Sequence, residues 1–222
     1  MTPSRSAATS TGPTGSTGPD ASGTCAGLVL AAGGGRRLGG RPKALLPYAG
    51  GTLVEHAVRV LREGGCERVF VVLGAARAEV RARARLTGCV LVDNPDWAAG
   101  LGTSLRAGLE RLRSEAEGDP GPEAVLVSLV DQPGIGPSAV ARVRRAYRSP
   151  GTLAAASYGG RRGHPVLFGS AHWAGVAASA HADVGARAYL RTRAGEIALV
   201  ECGDVADPAD IDTPADLHRL TD

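Results

Sequence analysis

Of the 25 basic residues in this 222-residue chain only one, Lys43, is lysine, and it lies inside the stretch Leu30 to Lys43, LAAGGGRRLGGRPK. Glycines let backbone N–H groups turn inward on an anion with no Cβ in the way, so such a loop is an anion cradle. Arg36, Arg37 and Arg41 add guanidinium forks suited to phosphate oxygens, and Lys43 adds a compact, mobile point charge. The stretch reads as a loop around the phosphates of a nucleoside triphosphate. Its expected nucleotide-binding residues are Leu30, Ala31, Ala32, Gly33, Gly34, Gly35, Arg37, Gly39 and Lys43, with Arg37 and Lys43 also stabilising charge during reaction. A flexible, incidentally charged surface loop is the plainer alternative.

Carboxylates supply the second half of the chemistry. Asp131 ends the apolar run Val125 to Val130 and precedes Gln132-Pro133. Burying it unpartnered would be costly, and a magnesium ion would satisfy it. Mg²⁺ takes one or two carboxylates and completes its octahedron with phosphate oxygens and water, so one more protein ligand suffices. Asp210-Ile211-Asp212-Thr213-Pro214 offers Asp212, with Thr213 as cap and Pro214 as first residue of a last helix. An Asp before a helix is also an ordinary choice beside the helix dipole. Asp93 and Asn94, after another apolar run, are candidate base or ribose contacts, although Asn-Pro-Asp also suits a plain turn.

The elements that must position these residues follow from patterning. Apolar runs at Ala26 to Ala32, Val69 to Leu73, Cys89 to Val92 and Ala124 to Val130 read as buried strands. Between them Leu53 to Leu61, Ala75 to Leu86, Ser104 to Arg113 and Pro137 to Arg148 read as helices. Thr52 and Glu55 form a capping-box pattern, Gly64-Gly65 close that helix, and Thr103 or Ser104 is placed to cap the third. Apolar strands alternating with amphipathic helices indicate an α/β fold with a mostly parallel sheet covered on both faces, with ligand loops on one edge. Arg77, Arg81, Arg83 and Arg85 read as a solvated face, and Leu105, Leu109 and Leu112 as core.

Two familiar glycine motifs are excluded. From Gly33 and Gly35 the sixth position of a dinucleotide fingerprint is Leu38, and the second strand ends in Gly-Ala-Ala without an acid for a ribose. Lys43 is preceded by Pro42 and followed by Ala44, so the hydroxyl of a Walker loop is missing.

LAAG-x-G-x-R-x-G followed by P-K-x-L-L-P resembles the signature of molybdenum-cofactor nucleotidyltransferases. Asn94 to Leu105, Gly163-His164-Pro165-Val166-Leu167-Phe168 and Asp183-Val184-Gly185-Ala186-Arg187 resemble further blocks of that family, with Ala182 standing where the last block has Gly. The similarity covers residues 25 to 222. It implies a three-layer α/β/α Rossmann-like nucleotidyltransferase fold and transfer of a nucleoside monophosphate to the phosphate of molybdopterin with Mg²⁺ on Asp131 and Asp212. Arg161, Arg162, His164 and Arg187 are then expected to hold the acceptor. Ala32 and Asp131-Gln132-Pro133 bring the sequence nearest to the members that use CTP. The extra methyl beside the base pocket favours a pyrimidine, a difference worth only ~1 to 3 kcal/mol. GTP-dependent, sugar- or polyol-phosphate-dependent and non-catalytic binding relatives are the alternatives. A target molybdoenzyme is a further implied partner.

Composition sets the outer bounds. With 43% hydrophobic residues the chain can bury one sizeable core, and residues 25–222 are expected as one domain. Residues 1–24, rich in Ser, Thr, Gly and Pro, read as a disordered tail. A net charge of +3, spread along the chain, gives no nucleic-acid-sized basic face. Cys25, Cys66, Cys89 and Cys202 have neither zinc nor disulfide spacing and read as reduced thiols of a cytoplasmic protein. No apolar run is long enough to span a membrane.

Overall fold

The computed structural model describes residues 24–116 and 121–221. The expected tail therefore lies outside the described residues, apart from Thr24.

The apolar runs are strands of one sheet. β1 (Cys25–Ala31) is followed by a short hairpin, β2 (Pro47–Tyr48) and β3 (Gly51–Thr52), and by α1 (Leu53–Glu63). Then come β4 (Val69–Leu73), α2 (Arg77–Arg83), β5 (Cys89–Asp93), α3 (Leu101–Ala116), β6 (Ala124–Leu129) and α4 (Pro137–Arg144). β7 (Leu153–Tyr158), β8 (Arg161–Gly169), α5 (Ser170–Ser179), α6 (Arg187–Thr192) and β9 (Ile197–Glu201) complete the order. The seven-stranded sheet runs β5-β4-β1-β6-β8-β7-β9. Within it only β8 runs against its neighbours, β6 and β7.

Strand alternation explains why both faces are covered. Cys25, Val29 and Ala31 of β1 pack with α1 and α4 on one face, whereas Ala26, Leu28 and Leu30 pack with α3 and α5 on the other. β4 divides likewise into Val69, Val71 and Leu73 against Phe70 and Val72. A strand buried on both sides has to be apolar at every position, which is the pattern of a parallel sheet between helical layers.

Local chemistry sets the ends. Glu55 Oε2 accepts from the Thr52 N–H at 2.7 Å while the Thr52 hydroxyl faces the Glu55 N–H, so α1 carries the expected capping box. α2 is shorter than the expected Ala75 to Leu86. The Ala75 N–H is drawn to the Ala32 carbonyl at 3.1 Å before the helix begins, and beyond its end the Arg85 N–H is drawn to Glu55 Oε1 at 2.8 Å. α3 starts three residues before the expected Ser104, because Gly100 turns the chain at φ 110°. Thr103 and Ser104 thus lie inside its first turn and do not cap it. The last helix is a 3₁₀ segment, Pro214–Leu220, capped as expected by Thr213, here paired with Asp216.

Candidate active site

The loop after β1 is folded by its own contacts. Gly35 sits at φ 60°, and a Cβ placed there would come within 1.8 Å of the Arg41 carbonyl oxygen, so no other residue fits. The Leu38 and Gly40 N–H groups both donate to the Gly35 carbonyl, at 2.8 and 3.0 Å. The loop then presents Ala32, Gly33, Gly34, Gly35, Arg37 and Lys43 to a cavity of about 430 Å³, with Leu30 at its floor. Ala31, buried with the α1 layer, lies behind it, and Gly39 turns outward at φ 69°.

Asp131 and Asp212, 81 residues apart in the chain, meet at Lys43. Its ammonium donates to Asp131 Oδ2 at 2.7 Å and to Asp212 Oδ1 at 2.5 Å. Arg37 pairs with the other oxygen of Asp212 at 3.2 Å. Burial alone would lower the Lys43 pKa, but the two carboxylates, Asp131 foremost, outweigh it and hold the ammonium above its ordinary value. The acids come together because the C-terminal segment is pinned over the sheet edge: the Ile211 N–H donates to the Asp131 carbonyl at 2.8 Å and the Asp207 N–H to the Gly134 carbonyl at 3.1 Å. Asp210, the neighbour in that segment, is raised in pKa by burial and then by the charge of Asp131.

Two expected nucleotide contacts are placed elsewhere. Asn94 is 2% exposed, its amide donates to Thr103 Oγ1 at 2.9 Å and Ser104 Oγ at 3.0 Å, and its carbonyl accepts from the Asp96 N–H at 3.0 Å. With its hydrogen bonds spent inside the protein, Asn94 fastens the turn to α3 and offers nothing to a ligand. Asp93 points to the sheet's outer edge, paired with Arg81 at 2.9 Å. What the turn contributes to the cavity is Trp97, whose indole lies against Gly34. Beyond Trp97 an open hollow of about 650 Å³ continues along Gly74, Ala75 and Ala76.

A second cavity, about 550 Å³, adjoins the first and shares Leu30, Leu101 and Leu129 with it. Arg161, Arg162, His164 and Arg187 all line it. Among the described residues none of these three arginines has a carboxylate partner. They leave positive charge without a carboxylate partner along this cavity, which suits an anionic ligand. His164 is half-buried, and desolvation pushes its pKa down to about 4, which keeps the imidazole neutral near pH 7. Gln132 and Tyr158 also line this cavity, and no role was assigned to either from sequence. Gln132 stands beside Asp131, but its neighbourhood depends on a segment some 76 residues later and is invisible in a local pattern.

Among the described residues no cluster of three or more His, Cys, Asp or Glu could hold a metal. Two carboxylate oxygens do converge on one cationic nitrogen, and two carboxylates beside a glycine-rich loop are a donor set that fits Mg²⁺, an ion that takes one or two carboxylates and fills its remaining positions from phosphate oxygens and water. The four cysteines are free thiols, and no helix among the described residues is long and apolar enough to cross a membrane.

A mostly parallel sheet between helices, with a glycine loop, a lysine joined to two carboxylates and an arginine-lined cavity at its edge, defines an α/β nucleotide-handling enzyme. Residues 27–197 match the MobA-like NTP transferase domain, and the chain belongs to that family, and with it to the nucleotidyltransferases. It is 40% identical over 201 residues to a Paenarthrobacter nicotinovorans protein described as nicotine blue oxidoreductase, spanning 87% of this chain and 95% of that protein. It is 38% identical over 89 residues to a molybdenum cofactor guanylyltransferase of Pseudomonas putida, 40% of this chain and 46% of that protein. The crystal structure of a homologue of Mycobacterium tuberculosis Rv0371c, from Mycobacterium sp. strain JC1, shares 33% identity at a TM-score of 0.72, over 89% of this chain and 94% of that one. Rv0371c itself, in complex with manganese, shares 29% identity at a TM-score of 0.67, over 89% and 97%.

Proposed function

We propose that this chain moves CMP from CTP onto the phosphate of molybdopterin, releasing pyrophosphate, with Mg²⁺ as its metal. The observation that carries the reading is Lys43 joined to Asp131 and Asp212 where a phosphate-loop cavity meets an arginine-lined one. In this account the triphosphate lies along the loop and the base extends past Trp97. The acceptor phosphate is held by Arg161, Arg162 and Arg187. An already ionised acceptor oxygen attacks the α-phosphorus in line, the bond from that phosphorus to the β-bridging oxygen breaks, and pyrophosphate leaves. No general base is required, so the residues act by positioning and by neutralising charge. Arg37 and Lys43 stabilise the leaving charge. Asp131 and Asp212 would hold the metal, which supplies charge neutralisation on the phosphate oxygens when bound. The manganese complex of the related Rv0371c supports a divalent ion in this family.

The preference for CTP rests on Ala32, a buried residue on the wall of the phosphate cavity that packs against Gly74 at the mouth of the neighbouring hollow. A methyl there narrows the space for a base. The guanylyltransferase relatives make GTP the direct competitor. A cytoplasmic setting and delivery of product to a molybdoenzyme belong to the same reading.

The relative described as nicotine blue oxidoreductase favours a second reading, a redox reaction. Against it stand the glycine loop, which has Leu38 where a dinucleotide fingerprint needs its third Gly, and β4, which is followed by Gly-Ala-Ala without an acid for a ribose. Pyrophosphate release with Mg²⁺ and molybdopterin, run with CTP, GTP, ATP and UTP beside an NADH-oxidation control with nicotine blue as the electron acceptor, tests both. Release with CTP supports the proposal. Release with GTP alone overturns the base assignment, and NADH oxidation without pyrophosphate overturns the transfer.

A further inference from the structure

Arg161 and Arg162 stand beyond the body of the sheet. Pairing of β8 with β6 stops at Val127 and Val166. Pairing with β7 stops at Ala155 and Val166 and resumes only at Ser157 and Arg162, which leaves Gly163, His164 and Pro165 without a partner in β7. The tip that carries the two arginines is therefore an overhang, joined to the sheet through an interrupted ladder. Its turn is Gly159-Gly160, both at positive φ, 58° and 76°, the arrangement of a two-residue hairpin loop. Two glycines in succession give a turn wide backbone freedom, so local sequence does not hold the tip in one place. The Tyr158 hydroxyl donates to the His164 carbonyl at 2.7 Å, but that bond lies within the hairpin.

The hold comes from β9. Glu201, the last residue of that strand, is paired in register with Ser157. Its carboxylate accepts from the Ser157 hydroxyl at 2.6 Å, from the Gly159 N–H at 3.0 Å and, more weakly, from the Gly160 N–H at 3.4 Å. The Gly203 N–H adds a fourth donor at 3.1 Å. These bonds, that of Ser157 foremost, keep the carboxyl ionised by holding its pKa at about 2. Glu201 is itself anchored, since Arg142 of α4 donates to its backbone carbonyl at 3.1 Å and grips Asp204 at 2.7 Å. An exposed acid has water for a partner, and four protein donors converging on one make a clamp between the turn and the edge strand.

We infer that Glu201 is a positioning residue for the acceptor: by holding the Gly159-Gly160 turn against β9, it keeps Arg161 and Arg162 in the arrangement along their cavity that receives an anionic ligand. This rests on the transfer reading for what the arginines bind. As a bare charge the carboxylate would act in the opposite sense, because a negative group near the arginines repels an anion. The sign of the change on removing it therefore tells position from charge.

Glu201→Ala in the full-length protein frees the tip, so only a fraction of molecules present the arginines correctly and the apparent affinity falls by that fraction. With Mg²⁺ and saturating CTP, the KM for molybdopterin is expected to rise roughly tenfold while kcat and the KM for CTP stay at wild-type values. Glu201→Gln, which keeps the shape and one carbonyl oxygen, is expected to fall between, and it serves where Glu201→Ala disturbs folding. Trypsin gives a readout without turnover. Cleavage after Arg161 and Arg162, followed by mass spectrometry, is expected to be roughly tenfold faster in Glu201→Ala, with cuts elsewhere in the chain unchanged. A KM for molybdopterin that stays the same or falls in a folded variant, or cleavage after Arg161 and Arg162 at the wild-type rate, overturns the assignment. So does a loss of kcat together with a rise in both KM values, which marks a general disturbance. Wild type that releases no pyrophosphate contradicts the transfer, and the tryptic rates then still decide whether Glu201 holds the tip.

Discussion

Lys43 and Asp131 lie 88 residues apart in the chain and 2.7 Å apart in space, joining the glycine-rich loop to the turn just beyond the central strand β6. A single ammonium also reaches Asp212, so one side chain ties three segments together at the sheet edge. If it stabilises the leaving pyrophosphate, Lys43→Ala and Asp131→Ala should each lower turnover by roughly two orders of magnitude, a size typical of lost transition-state charge stabilisation. Lys43→Arg should fail to restore it, because a planar guanidinium cannot take the place of a compact point charge between two carboxylates. Steady-state turnover on variants whose circular dichroism matches wild type checks this. Near-normal rates would remove Lys43 from the mechanism.

Neighbouring residues Asp93 and Asn94 should behave in opposite ways. Asn94→Ala deletes a buried amide with three hydrogen bonds and leaves the Asp96 N–H and two hydroxyls to find new partners. A loss of about 2 to 3 kcal/mol is expected in denaturant unfolding. Asp93→Ala removes only an exposed ion pair with Arg81 and should leave stability and nucleotide affinity within error of wild type.

Backbone geometry gives a second contrast. Gly35→Ala forces a Cβ into the Arg41 carbonyl and should abolish triphosphate binding in calorimetry while the sheet stays folded. Ala182, where the resembled family has Gly, sits at φ 44°, a conformation costing a residue with a Cβ about 1 to 2 kcal/mol. Ala182→Gly regains that and gives back some unfolded-state entropy, so a gain of about 0.5 to 1 kcal/mol is expected in the same unfolding measurement.

His164 makes stability depend on pH. Its folded pKa of about 4 lies below the ordinary 6.5, so between those values the unfolded chain binds more protons than the folded one. The stabilisation from this site is complete above pH 6.5 and is lost as pH falls towards 4, with a size of about 1 to 3 kcal/mol. Unfolding curves across that range should show wild type losing stability more steeply than His164→Asn. Parallel slopes would contradict a half-buried, neutral imidazole.

The strands and the loop were legible because their causes are local. All-apolar runs such as Val69 to Leu73 admit one kind of strand, and the capping box at Thr52 and Glu55 needs only four residues to announce itself. The meeting of Asp131 with Asp212 was legible as chemistry, since a buried acid needs a partner, but the partner seen is Lys43, which neither acid's own neighbourhood reveals. Asn94 stayed open between a ligand contact and a plain turn for the converse reason: an Asn after a strand looks the same whether its amide faces a ligand or the first turn of α3, and the start of that helix at Leu101 puts its hydrogen bonds in the turn. Gln132 was passed over because its partners, Pro208 and Asp210, reach it only through the folded C-terminal segment.

The most direct test follows two labels through one reaction. CTP labelled at the α-phosphorus or the γ-phosphorus is incubated with the protein, Mg²⁺ and molybdopterin, and the products are separated. The account predicts that the α label appears in the enlarged cofactor while the γ label leaves as pyrophosphate. A γ label on the cofactor, or both labels remaining in CTP while the same preparation oxidises NADH, would contradict it.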